Sequence, residues 1–136
     1  MRDIKFRGLS KITGKFVYGN LIQTSEYKDG HIHCWIQEKS LLGLGALSTP
    51  TTNFIEVHSE SVGQFTGLQD IEGDDIYEGD ILHQLDPVYW EPVVVSFNEC
   101  RGCYYINNEQ LQASTIKQIE LIIVGNISPN PELLEK

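Results

Sequence analysis

Apolar and polar residues alternate with a period of two along much of this chain, and the alternation breaks at turn-forming residues. Ile4-Lys-Phe-Arg7 alternates apolar with basic, the mark of a half-buried strand. Thr13-Gly14 signals a turn and Lys15-Phe-Val-Tyr18 resumes the pattern, so the two segments read as a hairpin. Leu21 to Tyr27 reads as a third strand, ended by the hairpin dipeptide Asp29-Gly30. His31-Ile-His-Cys-Trp-Ile-Gln37 returns, placing Ile32, Cys34 and Ile36 on one face and His31, His33 and Trp35 on the other. Residues 39–54 then change character: glycines interrupt leucines, and Ser, Thr and Pro follow, which predicts a flexible excursion whose leucines need cover.

The second half repeats the grammar. Phe54-Ile-Glu-Val-His58 is a short strand, and Ser59 to Gln64 a helical turn or bend. Ile81-Leu-His-Gln-Leu85 is a strand ended by Asp86-Pro87. The β-branched run Val93-Val-Val-Ser-Phe97 belongs at the centre of a sheet. Asn98 to Gly102 turns the chain and Tyr104-Tyr-Ile106 pairs back. Residues 109–118 form a short helix or an irregular link, and Glu120-Leu-Ile-Ile-Val124 is the last strand, bent away at Gly125-Asn126. In the tail, Asn130 can cap a helix, Pro131 suits its first position and Glu132 suits the dipole, so one or two helical turns are expected there.

These elements predict a mainly β fold, with a β-rich α+β arrangement as its near variant. Short antiparallel strands would form small barrel-like sheets, since closure removes exposed edges, and a short helix would end the chain. A length of 136 residues suits one domain, 1–136, with an N-terminal sub-lobe at 1–60 and a barrel-like C-terminal sub-lobe at 61–136.

Charge narrows the partners. The formal net charge is −9, which argues against wrapping duplex DNA, because phosphate contacts need Lys and Arg. Residues 1–15 carry Arg2, Lys5, Arg7, Lys11 and Lys15 against Asp3 alone, while most acids follow residue 55. That asymmetry favours head-to-tail self-association or, more blandly, two differently charged solvated faces. Trp35, Trp90, Tyr89, Tyr104 and Tyr105 have the shape to stack on bases, but basic residues do not interleave with them. No apolar run reaches membrane-spanning length and no apolar segment follows the charged start, so a cytoplasmic protein is expected.

Candidate chemistry sits in two places. The first is Thr66-Gly-Leu-Gln-Asp-Ile-Glu-Gly-Asp-Asp-Ile-Tyr-Glu-Gly-Asp-Ile-Leu82, where Asp70, Glu72, Asp74, Asp75, Glu78 and Asp80 put six carboxylates within eleven residues. Against an EF-hand loop started at Asp70, Glu72 and Asp74 fit, but Asp75 stands at the glycine position and Ile81 at the bidentate glutamate. Two acidic turns explain the spacing better. Gly73 and Gly79 would close them, and the Asp70 and Asp80 carboxylates would accept backbone N–H bonds. The second place is Cys100-Arg-Gly-Cys103 at a predicted hairpin tip, which has the spacing of a zinc knuckle. His31 and His33 share a strand face and would complete four ligands, whereas Cys34 points the other way. The plainer alternative is reduced thiols at a turn beside surface histidines. The odd cysteine count, Cys34 included, does not suggest a disulfide framework. Neither G-x-x-x-x-G-K, G-x-G-x-x-G between strand and helix, nor G-x-S-x-G occurs.

Three blocks, MRDIKFRGLSKITGKFVYG, ESVGQFTGLQDIEGDDIYEGDIL and IVGNISPNPELLE, occur in an order and spacing that resembles the YopX family of small bacteriophage and prophage proteins. The middle block is the most specific, with Gly67, Asp70, Gly73, Glu78, Gly79 and Asp80 in its framework. The N-terminal block departs at Gly8, where an aromatic-containing triplet similar to RAW is common, a change that bears on local packing. The resemblance implies a β-rich fold and a phage or prophage origin. It implies no reaction, so no catalytic residue is carried over and no cofactor is expected.

The reading that follows is a phage- or prophage-encoded accessory protein acting as a non-enzymatic interaction module. It would form homo-oligomers or bind a phage or host protein in the bacterial cytoplasm, away from membranes and duplex nucleic acid. Two alternatives stay open. One is a metal-binding protein or enzyme using residues 70–80 or the Cys/His set. The other is an acidic accessory acting on host nucleic-acid-binding proteins.

Overall fold

The computed structural model describes residues 3–25, 32–38, 53–85, 91–107 and 109–127. The Asp29-Gly30 turn, His31, residues 39–52, Tyr89, Trp90 and the tail from 128, including the expected terminal helix, lie outside the described residues. The chain is mainly β: its strands form two antiparallel sheets, open rather than closed into barrels, with one short helix among the described residues. Backbone contacts divide it into two compact units, Ile4–Gln64 and Phe65–Lys136 together with Met1–Asp3.

The first unit contains β1 (Phe6–Leu9), β2 (Phe16–Ser25), β3 (Ile32–Glu38) and β4 (Asn53–Val57), in the order β4-β3-β2-β1. A 3-10 turn at Ser59–Ser61 leads into β5 (Gly63–Gln69), whose first two residues pair with β1. Where the sequence pattern reads two strands around Gly19, one ten-residue β2 runs through. The Gln37 carbonyl oxygen lies 2.0 Å from where a Cβ on Gly19 would stand, so the strand continues only because that side chain is missing. Cys34 and Ile36 face inward and are buried with Val57, and Phe6, Val17, Leu21 and Val62 pack on them. Ile32 shares their parity but sits at the strand end, where it is exposed. The four strands curl until Ser10 forms an isolated bridge with Val57. Gly8 permits this approach: a Cβ there would lie 2.6 Å from Val57 Cγ2.

The second unit begins with the continuation of β5 from Phe65, which pairs with β6 (Asp75–Tyr77). β7 (Asp80–Gln84), β8 (Val93–Asn98), β9 (Cys103–Ile106), β10 (Glu109–Gln110) and β11 (Leu121–Asn126) form a sheet in the order β10-β9-β8-β7-β11. Helix α1 (Ala113–Ile119) precedes β11 and inserts Ile116 into the core. That core holds Ile76, Leu82, Val93, Val95, Ile106, Leu111, Ile116 and Leu121. Burying an aliphatic side chain of this size contributes about 1.5–3 kcal/mol, so this cluster is the main store of stability in the unit. The valines of β8 alternate: Val93 and Val95 are buried and Val94 is half-buried. β11 does not stop at Gly125; its register with β7 shifts between Ile123 and Gly125 and pairing resumes to Asn126.

Candidate functional site

The acidic stretch folds as two turns joined by β6. In β5, Thr66 and Gly67 lie in a bulge: the five residues of β5 from Phe65 to Gln69 span three of β6, from Tyr77 to Asp75. The Thr66 hydroxyl donates to the Ile76 carbonyl at 2.8 Å and accepts from the Leu68 N–H at 3.2 Å. Leu68 then packs against the core. In the first turn the Asp70 N–H donates to the Asp74 carbonyl at 2.9 Å and the Gly73 N–H to the Asp70 carbonyl at 3.0 Å. Gly73 has φ 89°, a left-handed conformation that a Cβ would strain.

Asp70 is only 6% exposed, and its carboxylate serves the backbone. Oδ1 accepts from the N–H groups of Glu72 and Asp74, both at 2.9 Å, which holds the turn. Oδ2 accepts from the Ile123 N–H at 3.1 Å, and the Ile71 N–H donates to the Leu121 carbonyl at 3.2 Å. The turn is thereby fastened along the outer edge of β11. Ile76 and Tyr77 are buried, with the Tyr77 ring centroid 5.6 Å from that of Phe65.

The second turn is Glu78-Gly79. Asp80 is 1% exposed and its Oδ2 accepts from the Tyr77 N–H across the turn at 2.7 Å. Gly79, with φ 91°, donates its N–H to the Val95 carbonyl and accepts from the Ile127 N–H, at 2.8 and 3.0 Å. Burial pushes the Glu78 carboxyl above the ordinary glutamate range, an effect partly offset by the Phe97 backbone N–H.

Among the described residues, Asp70, Glu72 and Asp74 are the group whose ligand-type oxygens lie within 4.8 Å of one another. Glu72 and Asp74 are exposed, while three backbone N–H groups already occupy the Asp70 carboxylate. A cation here would have to compete with the bonds that hold the turn. Asp75 faces Gln69, whose Nε2 donates to its Oδ1 at 3.1 Å.

The cysteine pair occupies the β8–β9 turn, with Cys100 exposed and Cys103 half-buried opposite Asn98. The Asn98 side chain accepts the Arg101 N–H at 3.0 Å, and its carbonyl accepts the Gly102 N–H at 2.7 Å, so asparagine organises this tip. Cys34 is buried in the core of the first unit. On β3, the His33 Nδ1 lies 2.8 Å from Glu56 Oε2, which also accepts from Lys11 Nζ at 3.1 Å. The His33 and Lys11 bonds hold the Glu56 carboxyl below the ordinary range. His31 lies outside the described residues.

Three hydroxyls carry roles that sequence patterning passes over. Ser10 Oγ accepts the N–H groups of Ile12 and Thr13, both at 3.2 Å. Ser61 Oγ accepts the Leu9 N–H at 2.7 Å and donates to the His58 carbonyl at 2.6 Å. Thr66 completes the set. Ser10 beside Thr13-Gly14 is a recognisable Ser-turn signal; the reach of Ser61 to Leu9 has no local signature.

The family model for YopX protein matches residues 5–135. The crystal structure of protein EF1440 from Enterococcus faecalis is similar, with TM-score 0.60 and 22% identity. That likeness covers 99% of this chain and 100% of the other, and it speaks for the fold. No curated protein matches the chain. Among the described residues no helix is long and apolar enough to cross a membrane.

Proposed function

The chain belongs to the YopX family, and from that premise we propose that it is a phage- or prophage-encoded accessory protein. It acts as a non-enzymatic interaction module and self-associates in the bacterial cytoplasm. The observation that carries this reading is the division of charge between the two units. Residues 4–64 hold six Lys/Arg and five Asp/Glu, a net of +1; the rest hold four and fourteen, a net of −10. Units of such unequal charge favour contact between the acidic unit of one copy and the near-neutral unit of another, and disfavour acidic against acidic. Exposed apolar residues of the first unit, including Ile12, Tyr18 and Phe54, supply the kind of surface that such a contact covers. Sedimentation velocity over a concentration series at low and high salt tests it. The expected mass rises with concentration and the association weakens with salt. A strict monomer throughout ends the self-association reading.

A second reading has one observation in its favour, the closeness of the Asp70, Glu72 and Asp74 oxygens. Titration calorimetry with Ca²⁺, Mg²⁺ and Mn²⁺ decides it: micromolar binding that disappears in Asp70→Ala would promote a metal role over the turn role.

A further inference from the structure

Ile12, at the tip of the β1–β2 turn, is 91% exposed, more than any other large apolar side chain among the described residues. Its own chain does not cover it. The turn that carries it is firmly built. Ser10 is buried, and its Oγ accepts the Ile12 and Thr13 N–H groups, both at 3.2 Å. The Ser10 N–H donates to the Lys15 carbonyl at 2.9 Å, and the Ser10 carbonyl accepts the Gly14 N–H at 3.0 Å. The Lys11 N–H donates to the Glu56 carbonyl and Lys11 Nζ to Glu56 Oε2, both at 3.1 Å, which ties the turn to β4. A turn fixed in this way holds isoleucine out in water, and a partner that covers it need not order the turn first. Residues 10–15 carry Lys11 and Lys15 and no acid. A surface that fits this tip is apolar at its centre and acidic at its rim.

The second unit carries a surface of that kind. Ile71 and Val124 are 37% and 42% exposed, and the bond from the Ile71 N–H to the Leu121 carbonyl sets Ile71 beside β11, the strand of Val124. Exposed Glu72 and Asp74 follow Ile71 in the same turn, within a unit of net charge −10. We infer that the Ile12 tip of one copy docks on the Ile71 to Asp74 turn of a second copy. Ile12 meets Ile71 and Val124, and Lys11 and Lys15 face Glu72 and Asp74. The inference rests on the self-association proposed above and names its two surfaces. The contact brings opposite charges together and keeps the acidic units apart. Because the two surfaces differ, the contact is heterologous: copies add head to tail, into a ring if the rotation closes and into an open chain if it does not.

Two variants, each disrupting one surface, test the inference at low salt. Ile12→Asp disrupts the tip and leaves the acidic turn intact. Glu72→Lys with Asp74→Lys disrupts the turn and leaves the tip intact. All three side chains are exposed, and thermal melts report that each variant stays folded. Ile12→Ser, and Glu72→Gln with Asp74→Asn, repeat the test should a new charge disturb either turn. In sedimentation velocity each variant alone should associate roughly tenfold more weakly than wild type, or weaker still. An equal mixture of the two should form a one-to-one dimer and stop there, because the intact tip of one meets the intact turn of the other. A variant that associates like wild type, or a mixture that stays monomeric, overturns tip-to-turn docking while self-association of the wild type stands. A wild type that is monomeric throughout overturns both.

Discussion

Asp70 and Asp80 are buried carboxylates that accept backbone N–H groups, and that sets what their loss does. Removing a charged acceptor strands a buried donor and forfeits a bond that contributes about 1.5–3 kcal/mol. Asp80→Ala should therefore lower the unfolding free energy by about 2–3 kcal/mol in urea titration, with Asp80→Asn losing less. Glu78 behaves in the opposite sense. Its folded carboxyl holds its proton to higher pH than the unfolded one, chiefly through burial. The folded state therefore binds more protons across that window, and stability falls as pH rises through it. Glu78→Gln should be more stable than wild type at neutral pH, with the gap closing below the ordinary glutamate range, as read by thermal melts across pH. The residue types at 70–80 made acidic turns legible in the sequence. That Asp70 Oδ2 reaches Ile123, 53 residues away, was not legible, because a local pattern carries no information about which distant edge a loop lies along.

At the scale of elements, two backbone sites decide how strands and helix meet. Gly8 lets β1 approach Val57 of β4 so closely that the methyl of alanine would fall 2.6 Å from Cγ2. Gly8→Ala should cost about 1–3 kcal/mol by overpacking, and Gly8→Ala combined with Val57→Ala should recover part of that loss. A double-mutant cycle showing simple additivity would contradict the contact. Glu120 ends α1 in the left-handed region, with φ 53°, where glycine is the common residue. Glu120→Gly should stabilise by about 0.5–1 kcal/mol, less whatever entropy the freer unfolded chain regains. Most strands were readable from period-two alternation. β5 was not: Ser59 to Gln64 reads as a helical turn or bend, which the 3-10 turn at Ser59–Ser61 matches, but the bulge at Thr66-Gly67 breaks the period and hides the strand from Gly63 to Gln69. β2 was split for a related reason, since glycine signals a turn locally and only the Gln37 backbone beside Gly19 shows why it lies within a strand.

Over the whole chain, the split into +1 and −10 makes salt and charge the natural variables. Glu72 and Asp74 are exposed, so Glu72→Lys with Asp74→Lys should shift the acidic unit by four charges with little effect on folding. Sedimentation should then show weaker self-association at low salt, and the variant should converge on wild type at high salt.

Local chemistry determined a good deal by itself. Alternation marked the strands, glycine and aspartate marked the turns, and the acidic block marked the family, because each depends on neighbours a few residues apart. Tertiary structure alone decided what those pieces are for. It placed the acidic turn against β11, Ser61 against Leu9 and Gly8 against Val57, and it left both sheets open. Each of these is a meeting of backbone with a segment far along the chain. Its geometry is set by which edges and side chains pack, a property of the assembled fold that no run of residues carries.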